Sequence, residues 1–342
     1  MFFKKRALSP ETENSPAEPQ KKDRVLFTSA ADSRPAPADA DTRPIYIIGA
    51  NALAVFLAAR LQDSGRRVIM VSDPDTNTAL STNGVVIKED YSLKKNRYRF
   101  NTSFWIKESP RLVIFTTSAP QLKSAATVVS PQKLGAAPIL CFSLLKDNSW
   151  LRAIFGNNII NGYFEGWAVN GEQQVAVLGR APSLTLSVGE YNSSGTAETI
   201  KELFDSASLN CRISEDAPAA FWNYFAVYAV GSLLSAAQNQ NIFDILKNKA
   251  MRENARPLLE EVAALAAAEK AAADVDALLK KLYNIPNNYV FPLQDDFHKN
   301  RPGELAGLSD IITETARRGG CRIPGLSRLL KQLYHRSLDM IA

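Results

Sequence analysis

PIYIIGANALAVFLAARLQDSGRRVIMVSD, residues Pro44 to Asp73, decides the fold of this chain. Ile45 to Ile48 is a short β-branched apolar run, the pattern of a strand buried on both faces. Gly49 ends it. Leu53, Phe56, Leu57 and Leu61 then fall on one helical face, Ser64-Gly65 breaks the chain, and Val68 to Val71 is a second buried run. Strand, tight turn, helix and strand make a βαβ unit. Asp73 closes the second strand about where a dinucleotide fold carries its ribose-binding carboxylate, roughly 20 residues past the glycines.

In the G-x-G-x-x-G fingerprint the first glycine makes the turn, the second admits the pyrophosphate and the third lets helix and strand touch. Gly49, Asn51 and Ala54 stand at those places. Alanine is a familiar third residue. Asn51 places a side chain where the phosphate approaches, so the turn is expected to survive and the phosphate contact to weaken. The candidate cofactor-binding residues are therefore Gly49, Asn51, Ala54, Asp73 and, after a later strand, Ser118.

Downstream, Gly84 to Ile87, Arg99 to Ile106, Arg111 to Phe115 and Ala137 to Phe142 read as extended segments, with a helix from Gln121 to Ala126. In an open sheet the ligand lies beyond the C-terminal strand ends, which points to Thr116 to Ser118 and Ser143 to Leu145. Gly166 to Val169, Gln174 to Leu178 and Ser183 to Val188, punctuated by Asn170-Gly171 and Gly179, read as antiparallel hairpins added to the sheet. A helix over Thr199 to Ser208 and a strand at Cys211 to Ile213 end this part. From Phe221 the chain is helical: Phe221 to Ala237, apolar enough to be buried on all sides, then Asn241 to Lys249, Arg252 to Lys270, Val275 to Tyr283, a loop over Asn284 to Arg301, and Pro302 to Arg318 with Ile323 to Tyr334. The expected architecture is α/β plus all-α. A Rossmann-like doubly wound N-terminal domain with added antiparallel strands spans 43–216, and a helical C-terminal domain spans 217–336.

Residues 1–40 are rich in Pro, Ala, Ser and charge, with Val25-Leu26-Phe27 as the one apolar interruption; such a composition reads as a disordered tail. Its basic groups, up to Arg6 and Lys21 to Arg24, suit a membrane surface or an acidic partner, and the apolar triplet a docking anchor. The net charge is +5, but the basic residues are scattered and not interleaved with aromatics, which argues against nucleic acid. Three dispersed cysteines and two histidines, His298 and His335, offer neither a disulfide framework nor a metal cluster. No run of eighteen apolar residues suggests a transmembrane segment, and Met1-Phe2-Phe3 followed by Lys4-Lys5-Arg6 does not resemble a secretory signal; a cytoplasmic location is the expectation. Lys146-Asp147-Asn148 reads as a surface turn, and Trp150, Trp167 and Trp222 as core anchors.

The altered fingerprint, the antiparallel strands and a helical domain carrying Arg301-x-x-Glu304-Leu305-x-x-Leu308 and Gly320-x-x-x-Pro324 together resemble the ketopantoate reductase family, over about Ile45 to Leu330. The resemblance implies reduction of a small 2-keto acid by NADPH in a cleft between two domains. It also implies a lysine on the long helix that opens the second domain, an asparagine one turn on, a carboxylate and a serine. On this chain the lysine place falls on Tyr224 and the asparagine place on Tyr228. The serine place is Pro292, followed by Asp296, and Glu304 is kept. The lysine expected after Phe115 is Ser118 or Thr117, and an Asn-Gly falls near Leu144-Leu145. Asp73 stands where an arginine would hold the 2′-phosphate, which favours a free ribose hydroxyl.

Tyr224 and Glu304 are thus the candidate catalytic residues, and Tyr228, Pro292 and Asp296 the candidate substrate cleft; no metal ligand is expected. Glu304 and Asp296 also suit a structural role, capping a helix or pairing with Arg301. With the lysines, asparagine and serine all replaced, the expectation is a catalytically degenerate scaffold, a pseudoenzyme with an interaction or regulatory role through protein partners or self-association. It would bind no cofactor or NAD(H) weakly, with NADPH less favoured. The alternative is a divergent NAD-dependent reductase or dehydrogenase of a small keto or hydroxy acid.

Overall fold

The computed structural model describes residues 26–27, 41–171, 174–189, 194–301 and 303–340. Apart from Leu26 and Phe27, the tail read as disordered lies outside them. Leu26–Phe27 forms a two-residue strand, β1.

The opening stretch folds as read: β2 (Ile45–Ile48), α1 (Ala52–Asp63) and β3 (Val68–Val71), both strands fully buried. Then follow α2 (Pro74–Thr78), β4 (Val85–Glu89), β5 (Lys94–Tyr98), β6 (Asn101–Ser103), β7 (Leu112–Phe115), α3 (Ala119–Ala126), α4 (Pro131–Leu134) and β8 (Ile139–Cys141). After α5 (Ser149–Phe155) come two long strands, β9 (Ile159–Gly171) and β10 (Gln174–Ser187), then α6 (Ser194–Ser206) and β11 (Asn210–Ser214).

These strands make one sheet in the order β1-β5-β4-β10-β9-β8-β7-β2-β3-β6, with β11 also on β10. From β6 to β9 every pairing is parallel, and reading the strands by sequence gives the doubly wound order 3-2-1-4-5-6. Between β2 and β7 the winding reverses, so a crevice opens past Ile48 and Phe115. β10 returns antiparallel to β9, as the alternating sequence suggested, with a register shift between Leu178 and Ser183. Its first half pairs with β4 and its second half with β11.

The second domain is built around α7 (Ala217–Gln238), capped by Asp216, whose carboxylate accepts the Ala219 N–H at 2.9 Å. Asn239 ends it in the left-handed region at φ +54°. This helix is long and apolar enough to cross a membrane, but 72% of its apolar window is buried inside the fold. Around it pack α8 (Ile242–Lys247), α9 (Lys249–Glu253), α10 (Ala255–Ala268), α11 (Val275–Tyr283), α12 (Pro292–His298), α13 (Leu305–Gly319) and α14 (Pro324–Asp339). The region expected as loop, 284–301, contains α12; Pro292 sits in its first turn, where a missing N–H costs nothing.

The two domains share a core. Tyr163 and Leu178, from the β9–β10 hairpin, are buried among the helices. Lys146 is no surface-turn residue: its ammonium binds the Glu269 carboxylate, donates to Thr315 Oγ1 at 2.6 Å and lies 5.5 Å from the centre of the Trp222 ring. Trp222 Nε1 donates to the other Glu269 oxygen at 3.1 Å. A loop of the first domain is thereby tied to α7, α10 and α13 of the second.

Gly231 on α7 is required by close approach. A Cβ there would lie 2.3 Å from Phe291 Cζ, and that ring is fully buried, with Tyr289, Tyr228 and Trp167 around it at centroid distances of 5.0, 5.9 and 6.2 Å. The Gly231→Val variant is expected to lose on the order of 2 kcal/mol of stability through overpacking. Urea denaturation checks it: the midpoint falls while the slope stays constant.

Candidate active site

A cleft of about 710 Å³ lies between the crevice of the sheet and the helical domain. From the first domain it is lined by the β2–α1 turn (Asn51 to Leu53), the β7–α3 segment (Thr116 to Ala119), Phe142 to Leu144 and the outer half of β9. From the second it takes α7 through Asn223, Tyr224, Val227 and Tyr228, with Lys281, Tyr289, Pro292, Asp296 and Glu304.

Gly49 turns at φ +115°, and a Cβ there would come 2.5 Å from Thr116 Oγ1, so β2 can pass into α1 against β7 only without a side chain. Asn51 is the N-cap of α1: its Oδ1 accepts from Ala54 N at 2.9 Å and its Nδ2 donates to Thr116 O at 2.5 Å. The side chain thus uses one of the helix's terminal N–H groups and straps the two loops together. The Ala52 and Leu53 N–H groups, which have no partner inside the helix, remain at the cleft wall. Ala54 is fully buried beneath the turn. Ser118 stands at the N-cap position of α3, where its hydroxyl makes no capping bond and instead donates to Gln121 Oε1 at 3.0 Å. Its neighbour Thr117 also lines the cleft, and the Thr117 hydroxyl is buried with no hydrogen-bond partner. Asp73 lies outside the cleft lining, at the end of β3. There it caps α2 by accepting the Thr76 N–H at 3.0 Å, a bond that holds its carboxyl below the usual range.

Tyr224 and Tyr228, one helical turn apart, stack at 5.8 Å and 15°, and Tyr163 continues the stack against Tyr224 at 5.3 Å. Glu304 is buried at the foot of this stack. It stands at the N-cap position of α13, but its carboxylate neither caps the helix nor pairs with Arg301; its Oε1 accepts the Tyr228 hydroxyl. Arg301 binds Asp296 instead, through Nε at 2.9 Å, so of the two carboxylates only Asp296 takes the structural place first considered for both. Burial pushes the Glu304 carboxyl up to about 7, against the lowering effect of the Tyr228 hydroxyl. Burial and the neighbouring Glu304 raise Tyr228 and Tyr224, so both phenols stay protonated. Among the described residues no group of three or more His, Cys, Asp and Glu is placed to hold a metal ion.

The structure brings Tyr224, Tyr228, Pro292, Asp296 and Glu304 to one cleft, opposite Asn51, Thr117 and Ser118. Replacement of the expected lysines does not leave the cleft without cations: Arg180, Lys281 and Lys299 line it. Lys281 was missed because Lys280-Lys281 reads as an ordinary solvated helix end, and only folding carries it opposite Glu165 of β9. Trp167 was read as a core anchor and is also a cleft wall, in edge contact with Tyr289 at 4.8 Å.

Sequence comparison matches residues 45–182 to the family described as ketopantoate reductase PanE/ApbA and residues 216–336 to its C-terminal counterpart. No curated protein sequence matches the chain. Similar solved structures include D-mandelate dehydrogenase with NADH and anilino(oxo)acetate, 17% identical with TM-score 0.75, covering 87% of this chain and 100% of that one. The 2-dehydropantoate 2-reductase from Geobacter metallireducens GS-15 is 24% identical with TM-score 0.75, covering 85% and 99%. A PanE/ApbA family ketopantoate reductase from Ralstonia eutropha JMP134 is 18% identical with TM-score 0.75, covering 87% and 100%. The family match overturns the expectation of a non-catalytic scaffold: both domains carry the reductase family's sequence pattern.

The raised Glu304 carboxyl makes stability depend on pH. Below about pH 4.5 it is protonated folded and unfolded alike and contributes no difference. As pH rises toward 7 the unfolded chain releases this proton while the folded one keeps it, so stability falls across that window by up to about 3 kcal/mol, then levels off. Denaturation of the Glu304→Gln variant between pH 4.5 and 8 is expected to give a flatter profile and, at pH 8, higher stability than the parent.

Proposed function

The chain belongs to the ketopantoate reductase (PanE/ApbA) family, and on that premise we propose that it is an NAD(H)-dependent oxidoreductase interconverting a small 2-keto acid and its 2-hydroxy acid. One observation carries the reading: a buried carboxyl with its pKa near neutrality, bonded to a phenol that faces the cleft across from the dinucleotide crevice.

The cofactor fits the residues present. The glycine turn at Gly49, the Ala52 and Leu53 N–H groups at the positive end of α1 and the partnerless Thr117 hydroxyl form a polar cradle for a pyrophosphate and its ribose. Asn51 narrows that cradle by taking the Ala54 N–H, and two amides remain. Asp73 at the end of β3 favours a ribose hydroxyl and disfavours a 2′-phosphate, which selects NAD(H); the likeness to a dehydrogenase with NADH supports the same choice.

The reduced nicotinamide, when bound, supplies hydride to the substrate carbonyl carbon. The chain's own residues manage the charge that develops on the carbonyl oxygen. When Glu304 is protonated the bond between the two reverses: Glu304 donates its proton to the Tyr228 oxygen, and Tyr228 gives its own hydroxyl proton to the carbonyl oxygen. The transfers are coupled because a free phenolate beside a buried carboxyl is disfavoured. A carboxyl titrating near 7 is well matched to this task, acting as acid in reduction and as base in oxidation. Tyr224, stacked on Tyr228, fixes the phenol's plane, while Tyr289, Phe291 and Trp167 keep water from the pair.

With NADH and a 2-keto acid, reduction is expected to fall above an apparent pKa near 7, and oxidation of the 2-hydroxy acid with NAD to rise through it. The Tyr228→Phe and Glu304→Gln variants should lower kcat by roughly 10²- to 10³-fold, the scale for loss of one group that stabilises developing charge, with NADH affinity by calorimetry unchanged. Turnover in Tyr228→Phe equal to the parent's would overturn the proton route.

A further inference from the structure

We propose that Lys281, reaching the cleft from α11, binds the carboxylate of the substrate and so restores to this site the cation that α7 lacks. The inference rests on the oxidoreductase reading and adds the anionic group that the substrate must carry.

Lys281 Nζ lies 3.5 Å from Glu165 Oε1, and that same oxygen accepts Arg212 Nη2 at 2.7 Å. Two cations thus share one carboxylate oxygen, and the group of three has an excess positive charge. Arg212 is the better fixed of the two, since its Nε also donates to Thr185 Oγ1 at 2.8 Å. Lys281 makes the longer contact, lines the cleft and has a side chain 38% exposed. A pair so exposed is worth little, so an incoming carboxylate can take the ammonium from Glu165 at small cost.

Placement supports this over the other cations in the lining. Lys299 is engaged one turn back with Asp295 at 2.6 Å. Arg180 is exposed on the irregular part of β10. Lys281, by contrast, is held among the described residues only by its 3.5 Å contact with Glu165 on the cleft wall. Glu165, Lys281, Tyr224, Tyr228 and Glu304 all line this one cleft. A 2-keto acid in the cleft turns its carboxylate toward Lys281 and its carbonyl oxygen toward Tyr228.

Steady-state kinetics with NADH compare pyruvate and phenylglyoxylate with their uncharged methyl esters in the full chain. In Lys281→Met the KM for the acids is expected to rise about tenfold or more, with kcat changed less than about threefold and KM for the esters unchanged. Lys281→Arg restores most of the loss. Glu165→Gln, by removing the competing carboxylate, lowers the KM for the acids; a merely structural contact would weaken acid and ester alike in both variants, and that result overturns the proposal. Calorimetric titration with oxamate, against uncharged oxamide, separates this inference from the reaction. If no keto acid is turned over but oxamate binds the parent and not Lys281→Met, the anchor stands and the redox reading fails. If oxamate does not bind the parent, or binds Lys281→Met equally well, the anchor is wrong.

Discussion

Burying the Glu304 carboxyl against a single phenol is the constraint around which the cleft is arranged. A carboxylate removed from water is costly unless charge or hydrogen bonds compensate it, and Tyr228 supplies one hydroxyl and no charge. The group therefore holds its proton up to neutral pH. The nearest guanidinium in sequence, Arg301, is drawn off by Asp296. Gly303 makes that arrangement possible: it turns at φ +55°, and a Cβ there would meet Asp296 Oδ2 at 2.4 Å.

The same constraint explains the aromatic character of the second domain's wall. Trp167, Tyr289 and Phe291 meet edge to face, and Gly231 leaves room on α7 for the Phe291 ring. These rings pack around Tyr228, and the carboxyl bonded to it is buried. The β9–β10 hairpin supplies part of that wall from the first domain while its buried residues join the helical core, and Lys146 ties the β8–α5 loop to Glu269. The crevice of the sheet and the aromatic wall of the helical domain are thus held in one frame.

Much of this was legible in local pattern. The run from Ile45 to Asp73 gave the βαβ unit because buried parallel strands and a one-faced helix leave distinct signatures, and the antiparallel return was visible in the alternation of Gln174 to Leu178. Glu304 was found through its spacing from Arg301 and Leu305, although Arg301, the partner considered for it, was wrong; the actual partner, Tyr228, is 76 residues away. What escaped was through-space. Replacement of a lysine on α7 by Tyr224 looked like loss of the site's positive charge, but charge can be supplied from any element that faces the cleft, and Lys281 comes from α11. Likewise α12 was taken for loop because prolines and asparagines surround it, whereas a proline in the first turn starts a helix.

The most direct test of the account is a crystal structure of the protein with NADH and oxamate. The account predicts the pyrophosphate at the Gly49 to Leu53 turn, the nicotinamide ring in the cleft facing the Tyr228 hydroxyl, and the oxamate oxygen within hydrogen-bond distance of that hydroxyl. A dinucleotide bound elsewhere, or a nicotinamide ring with Tyr228 and Glu304 out of reach of its substrate, would contradict it.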